Sequence, residues 1–198
     1  LDDIKKHRER REKVQRNQAF GAEVERLLKE ALEAHGLKVT RTGVGSDYEI
    51  EEDYVEDGNE VILEIGNGRQ SFLVEVKATV NNDARMTVKQ AETAVGNRDR
   101  FILCVVSLGS REATLEIVRE RCRFITDIGY QIEPVWKEYS RLQETKGEAC
   151  SRVGEVELIV KDSEVRFAVS EGAWENCKRL GDIVGYILVT SGAQVTAS

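Results

Sequence analysis

Two residues of opposite charge stand two positions apart in the segment SFLVEVKATV, residues 71–80. The alternation of this segment predicts a β-strand with Leu73, Glu75 and Lys77 on one face and apolar Val74 and Val76 on the other. Such a carboxylate and ammonium form either an ordinary solvated ion pair or part of an active site. Taken alone, the Glu-x-Lys tripeptide favours the solvated pair.

A second acidic segment, SDYEI, changes that balance. Its alternation places Asp47 and Glu49 on one face of another predicted strand, so Asp47, Glu75 and Lys77 converge if the two strands are neighbours. Two carboxylates at close range repel one another unless a cation lies between them, and hard oxygen ligands favour Mg²⁺ or Mn²⁺. A nearby lysine stabilises negative charge that develops on a phosphate. Glu49 takes the place of Asp47 if the strand register is shifted by two residues.

The elements around these residues follow a simple order. Residues 17–35 predict an amphipathic helix that Gly36 ends. Four short strand segments follow, LKVTRT, SDYEIEED, EVILEI and QSFLVEVKA, and the last three are expected to form an antiparallel meander. After a polar loop, NNDARM, Thr87 is the predicted N-cap of a helix VKQAETAV, and RFILCVVS reads as a fully buried strand.

The segment beyond Leu108 has a different pattern. ATLEIVRERCRFI is predicted to be helical, EVELIVKDSEVRFAV to be a hairpin with its turn at Asp162 and Ser163, and GAWENCKRLG to be a short helix. The predicted fold class is α/β (α+β). Residues 1–16 are interpreted as a charged linker or helix, 17–110 as the core domain, and 111–198 as a C-terminal α+β extension packed on that core.

Charge and composition limit the classes of function. The net charge of −7 argues against a broad nucleic-acid coat, although residues 1–16 carry seven basic and four acidic side chains. A solvated helix or linker is the favoured interpretation of that run, with phosphate contact as the alternative. No apolar run approaches the roughly 20 residues of a membrane helix, which predicts a cytoplasmic location. The linker-like start suggests a piece of a longer protein.

The segment from Gly21 to Val106 resembles the PD-(D/E)xK nuclease superfamily, the fold of many restriction endonucleases. The motif is matched by Asp47 in GSDY and by Glu75 and Lys77 in VEVK, with Ser46 where the name-giving proline would stand. More narrowly, GSDYEI, FLVEVKAT and RMTVKQA resemble the nuclease-like domain at the C-terminus of the plant protein NO VEIN. The resemblance implies a restriction endonuclease-like core of a helix, a three- to four-stranded mixed sheet, a helix and a strand.

The resemblance also implies a metal site. Asp47 and Glu75 would bind Mg²⁺ or Mn²⁺, together with the carbonyl of Val76. Lys77 would position the attacking water and stabilise the charge on the phosphate.

Two further catalytic residues follow from the same resemblance. The first helix would contribute a carboxylate, for which Glu25 fits best and Glu23 competes. Gln90 matches a glutamine that some branches of the superfamily place beside the lysine.

The function implied is a Mg²⁺- or Mn²⁺-dependent endonuclease acting on DNA, as the effector part of a larger phage-defence or DNA-processing protein. Its expected partners are DNA, a second copy of the chain, and ATPase or helicase domains of the parent protein. Basic residues after the Glu-x-Lys strand are candidates for contact with DNA phosphates: Arg85, Lys89, Arg98 and Arg100. The alternative is a catalytically inactive nucleic-acid-binding or assembly module on the same fold.

Overall fold

The structure is a computed structural model that describes residues 2–43, 61–66, 71–145, 152–161 and 164–190. Within these ranges the elements run in the following order: α1 (Asp2–Glu33), β1 (Lys38–Gly43), β2 (Val61–Gly66), β3 (Ser71–Thr79), β4 (Asp83–Thr87), α2 (Val88–Gly96), β5 (Phe101–Ser107), α3 (Leu115–Arg121), β6 (Cys122–Ile125), α4 (Ile128–Thr145), β7 (Arg152–Val153), β8 (Val156–Lys161), β9 (Glu164–Ser170) and α5 (Leu180–Thr190). None of the helices in these ranges combines the length and apolar character that crossing a membrane requires.

The first helix confirms the predicted amphipathic pattern and extends it toward the N-terminus. α1 starts at Asp2, so the described part of the charged 1–16 run is helical. Apolar side chains at helical spacing in its second half are fully or almost fully buried: Val24, Leu27, Leu28, Ala31 and Leu32. Gly36 follows the helix with a φ of +79°, a left-handed conformation that glycine adopts without a steric penalty.

The described strands β1, β2, β3, β5 and β6 form one mixed sheet in that order. β1, β2 and β3 are antiparallel neighbours, and β3 pairs in parallel with β5 across the α2 connection. The predicted antiparallel pairing of EVILEI with QSFLVEVKA is confirmed, and the other edge of β2 pairs with β1, the segment LKVTRT. The SDYEIEED segment lies outside the described residues.

Both faces of this sheet are covered. One face packs against α1, α3 and α5, and the other against α2, α4 and a second sheet. β5 is buried along six of its seven residues, as expected for a strand with apolar layers on both sides. The helix, mixed sheet, helix and parallel strand confirm the predicted α+β class with a restriction endonuclease-like layout.

The C-terminal segment departs from its prediction at two places. CRFI is not helical: α3 ends at Arg121, and β6 pairs with β5 at the edge of the first sheet. GAWENCKRLG is not one short helix: a 3₁₀ turn, Glu171–Ala173, overlaps its start, and α5 begins only at Leu180, near its end. The region around Pro134 forms α4. Local helical periodicity in ATLEIVRERC does not reveal that Cys122 and Phe124 complete the core beneath α5.

A second sheet has the strand order β4, β9, β8, β7. β8 and β9 form the predicted hairpin, with Lys161 paired to Glu164 across the predicted turn. NNDARM was wrongly predicted to be a loop, because Asp83 begins β4, which pairs with β9. Ala84 and Met86 are buried in this strand, so its alternation is short but regular. The strand β4, from the predicted core domain, therefore belongs to the second sheet, whereas β6, from the predicted C-terminal extension, belongs to the first.

Phe167 of β9 packs against α4 in the core layer that also contains α2. It is fully buried, and its ring centroid lies 5.8 Å from that of Trp136 and 5.9 Å from that of Tyr139. Replacing Phe167 with Ala should lower the free energy of unfolding by about 3–5 kcal/mol, because a large cavity forms. Urea denaturation measures this change. Val189→Ala, at a side chain that is 76 % exposed, is the control and should change it little; equal effects would contradict the assigned core.

Two cysteines in the other core layer should be chemically inert. Burial raises the pKa of the Cys104 thiol well above its usual value and that of Cys122 to about 11. At pH 8 a thiol with a pKa of about 11 is a thiolate in roughly one molecule in a thousand, and the thiolate is the reactive form. Mass spectrometry of native protein treated with iodoacetamide at pH 8 should find both unmodified. Labelling as fast as in urea would contradict this packing.

Candidate active site

Glu75 lies in the middle of β3, the central strand of the first sheet. It faces Ile62 of β2 and Leu103 of β5 in the register, so it has a strand on each side. Phe72 and Val74 point into the α1 layer, whereas Leu73 packs in the α2 layer. The alternation of a strand puts Glu75 and Lys77 on the α2 side with Leu73, as the sequence predicted.

The Glu75 carboxylate is buried, with only 3 % of the residue exposed. Its Oε1 accepts a hydrogen bond from Gln90 Nε2 at 2.6 Å and pairs with Lys77 Nζ at 2.9 Å. The Lys77 side chain is 23 % exposed, so the ammonium links the buried carboxylate to the surface. This is not the solvated pair that the tripeptide alone favours. A buried carboxylate is costly unless charge and hydrogen bonds compensate it, and at Oε1 Lys77 supplies the charge and Gln90 the hydrogen bond.

Gln90 reaches Glu75 from the first turn of α2. Thr87 caps this helix, as predicted: its Oγ1 accepts a hydrogen bond from the Gln90 backbone N–H at 3.1 Å. In return, Gln90 Oε1 accepts the Thr87 backbone N–H at 2.9 Å, which completes a capping box. The Gln90 amide thus uses its oxygen for the helix cap and its NH₂ group for Glu75.

The two candidate carboxylates of α1 differ in their surroundings. Glu23 is exposed and bonds Arg26 at 2.8 Å, and the hydrogen bond from Arg26 lowers the pKa of Glu23. Glu25 is half-buried beside Val24. The apolar stripe of α1 packs on the sheet face opposite to the Glu75 side chain. Glu25 is thus the more buried of the two glutamates, but its helix lies on the other side of the sheet from Glu75.

Asp47 and its alternative Glu49 lie outside the described residues. The strands that flank them are informative, since Gly43 at the end of β1 pairs with Val61 at the start of β2. The next residue, Ile62, pairs with Glu75. The described ends of β1 and β2 therefore lie next to the level of Glu75 in the sheet. Val76 is half-buried and faces the α1 layer with its side chain.

Two of the predicted phosphate-binding residues lie close in sequence to Gln90. Lys89 is exposed in the first turn of α2. Arg85 is exposed on β4 and pairs with Asp83 at 2.6 Å. Both therefore lie on the two elements that lead to the Glu75 contact.

Arg98 and Arg100 lie at the other end of α2, next to the start of β5. Arg98 pairs with Glu133 at 2.8 Å and stands 5.6 Å from the centre of the Tyr130 ring. Hydrogen bonds from Lys137 and Arg98 lower the pKa of Glu133. Arg100 donates to Asn97 Oδ1 at 2.8 and 3.0 Å. These two arginines are not brought together with Glu75.

Within the described ranges, no three His, Cys, Asp or Glu side chains are grouped as metal ligands. The contacts given above join three of the predicted residues, Glu75, Lys77 and Gln90. The sequence analysis identified Thr87 as a helix cap but not as a contact of the site. The signal for that contact is present in TVKQ, where Thr and Gln have the spacing of a capping box.

Residues 22–118 match the family described as Protein NO VEIN, C-terminal. The match confirms the predicted similarity to that domain. It covers just under half of the chain and includes all of β3, β4 and α2, and therefore Glu75, Lys77, Thr87 and Gln90. No curated protein and no solved structure matches the chain.

Gln90→Glu tests the electrostatics of this contact. The new carboxylate can still accept the Thr87 N–H, but it meets Glu75 where an NH₂ group stood. At pH 8 the variant should lose about 1.5–3 kcal/mol of unfolding free energy, the contribution of a hydrogen bond to a charged group. Repulsion raises the pKa of one carboxyl above its unfolded value of about 4.3. The loss should therefore be small at pH 4 and grow as the pH rises.

Gln131→Glu is the matched control. Gln131 Nε2 donates to Asp127 Oδ1 at 3.0 Å, but this pair is exposed at the start of α4, where Asp127 immediately precedes the helix. Solvent screening limits such a like-charge pair to about 0.2–0.5 kcal/mol. Urea titrations of both variants at pH 4 and pH 8 provide the comparison. A pH-independent loss in Gln90→Glu would contradict the geometry of the contact.

Proposed function

We propose that this chain is a nuclease domain that hydrolyses phosphodiester bonds in DNA with Mg²⁺ or Mn²⁺. The observation that carries the proposal is the buried Glu75 carboxylate in the middle of the central strand, held by Lys77 and Gln90. A cation–carboxylate pair in such a place adds little stability compared with apolar residues of similar size. A role in chemistry is a better reason for this pair than a role in folding.

The residues fit a divalent cation in ligand chemistry. Glu75 supplies a hard oxygen of the kind that Mg²⁺ and Mn²⁺ prefer, and we assign Asp47 and the carbonyl of Val76 as its companions. Asp47 follows Gly43 by four residues, which can span at most about 14 Å, so the chain permits its approach. When bound, the cation would supply Lewis-acid stabilisation of charge on the scissile phosphate.

The chain's own groups have separate roles in this proposal. Lys77 holds a positive charge at the boundary between the buried carboxylate and solvent, where a phosphate can approach it. There it orients the attacking water and stabilises the negative charge of the transition state. Gln90 orients the carboxylate, and Glu25 is the additional carboxylate from α1.

The nucleic acid would lie along β4 and the first turn of α2. Lys89 and Arg85 are exposed there and can contact phosphates. Arg98 and Arg100 would contact phosphates of the nucleic acid that lie farther from Glu75. The net charge of −7 means that affinity depends on such a local patch and on other domains. In this proposal the chain is part of a longer cytoplasmic defence or DNA-processing protein and acts together with its ATPase or helicase domains. It would act as a homodimer.

Cleavage of plasmid and oligonucleotide DNA tests the proposal. The protein should cut in Mg²⁺ or Mn²⁺ and not with a chelator. Glu75→Gln and Lys77→Met should each lower the rate by at least about 100-fold, the loss typical of a group that stabilises transition-state charge.

Matched variants separate chemistry from folding. Glu138→Gln changes a glutamate that pairs with Arg141 on α4, and Lys29→Met changes a lysine that pairs with Glu33 on α1. Both should cut at the parental rate. Cleavage that persists in Glu75→Gln and Lys77→Met would refute the assigned site. Metal-dependent DNA binding without cleavage by the parent would support the inactive binding module instead.

A further inference from the structure

We propose that Thr87 is a positioning residue of the Glu75 site, which fixes the Gln90 amide so that its NH₂ group, and not its oxygen, meets the carboxylate. A glutamine amide can turn by 180° and exchange a donor for an acceptor at nearly the same place. Next to Glu75, the turned amide would put two oxygens against each other. The structure contains a contact that selects the correct orientation.

That contact is the capping box. The Thr87 backbone N–H donates to Gln90 Oε1 at 2.9 Å, and an N–H cannot donate to an NH₂ group. The Thr87 Oγ1 holds the Gln90 backbone at 3.1 Å, which keeps the first turn of α2 in place for this bond. With Oε1 fixed on Thr87, Nε2 lies 2.6 Å from Glu75 Oε1.

The choice of residue at position 90 agrees with this dual use. The third position of a capping box takes Glu or Gln, since either can accept the N-cap N–H. Gln, unlike an ionised Glu, can also donate to a neighbouring carboxylate. Gln90 is only 2 % exposed, so water does not readily replace either bond.

Thr87 is in turn held by the C-terminal half of the chain. It ends β4, where it pairs with Arg166 of β9, and the preceding Met86 is fully buried opposite Phe167. β9 thus anchors the strand that presents the cap. The proposal rests on the proposed function only in taking Glu75 as the carboxylate that binds the metal.

The test compares Thr87→Val, which lacks the hydroxyl, with Thr87→Ser, which restores it. The matched control is Thr114→Val, since Thr114 caps α3 by accepting the Ile117 N–H at 3.3 Å and contributes to no contact of Glu75. The first measurement is the NMR signal of the Gln90 side-chain NH₂ group in metal-free protein. The second is the Kd for Mn²⁺ by calorimetry.

In Thr87→Val, the Gln90 signal should move toward that of an exposed glutamine, and Mn²⁺ binding should weaken about tenfold, as for partners that orient a ligand. Thr87→Ser and Thr114→Val should match the parent within twofold in Kd. A Gln90 signal that is parental in Thr87→Val, or shifted equally by Thr114→Val, would overturn the proposal.

A second variant tests the proposal in case Thr87→Val does not fold. Gln90→Met removes the acceptor of the Thr87 N–H while keeping a side chain of similar length. Hydrogen exchange of the Thr87 amide should accelerate at least tenfold, and an unchanged rate would overturn the assigned bond. If the parent fails to bind Mn²⁺, the proposed function fails, while the Gln90 signal and the Thr87 exchange rate still decide the positioning role.

Discussion

A carboxylate buried in the middle of a sheet requires hydrogen-bond donors or positive charge around it, and three separate elements position these groups at Glu75. Its own strand supplies Lys77, two residues along on the same face. α2 supplies Gln90, and β4 supplies the Thr87 cap that holds Gln90. Neither α2 nor β4 can move far without leaving the charge less well compensated. The arrangement of this side of the sheet therefore follows from one costly group.

The two faces of the first sheet differ in polarity. The α1 face is apolar throughout its centre, with Phe72, Val74 and Cys104 among its buried side chains. It supplies burial without any need for polar partners. The α2 face combines an apolar layer around Phe101 and Phe167 with the polar contact at Glu75. Because the stable packing is on both faces, the site can retain a charged group that contributes little to folding.

The sequence predicted the parts of the site that depend on local rules. Strand alternation places Glu75 and Lys77 on one face, and the Thr-x-x-Gln spacing at Thr87 predicts a capped helix. Neither rule gives the 2.6 Å contact between Gln90 and Glu75, which also requires the parallel crossover from β3 through α2 to β5. The apolar run RFILCVVS predicted a fully buried strand, but not which strands lie beside it.

The errors arose where a strand pairs with a partner distant in the sequence. β4 is five residues long and follows a polar turn, so its own residues give a weak signal. It is a strand because β9, more than 80 residues later, pairs with it. β6 is another case, since Cys122 and Phe124 continue the period of the helix before them and yet pair with β5. Tertiary pairing overrides local propensity in both segments.

The pairing of β4 with β9 in the second sheet affects the geometry of the site. Lys77 and Gln90 are only thirteen residues apart, yet the chain between them does not form a simple local loop. It passes through Asn82, in a left-handed conformation, and through β4, which β9 holds in the second sheet. Asn82 also bonds Ser107 at 2.6 Å and Glu171 at 2.8 Å, which joins the end of β5 to the turn after β9. The C-terminal hairpin is thus part of what sets the geometry at Glu75, even though Lys77 and Gln90 both lie within the segment that resembles the NO VEIN domain.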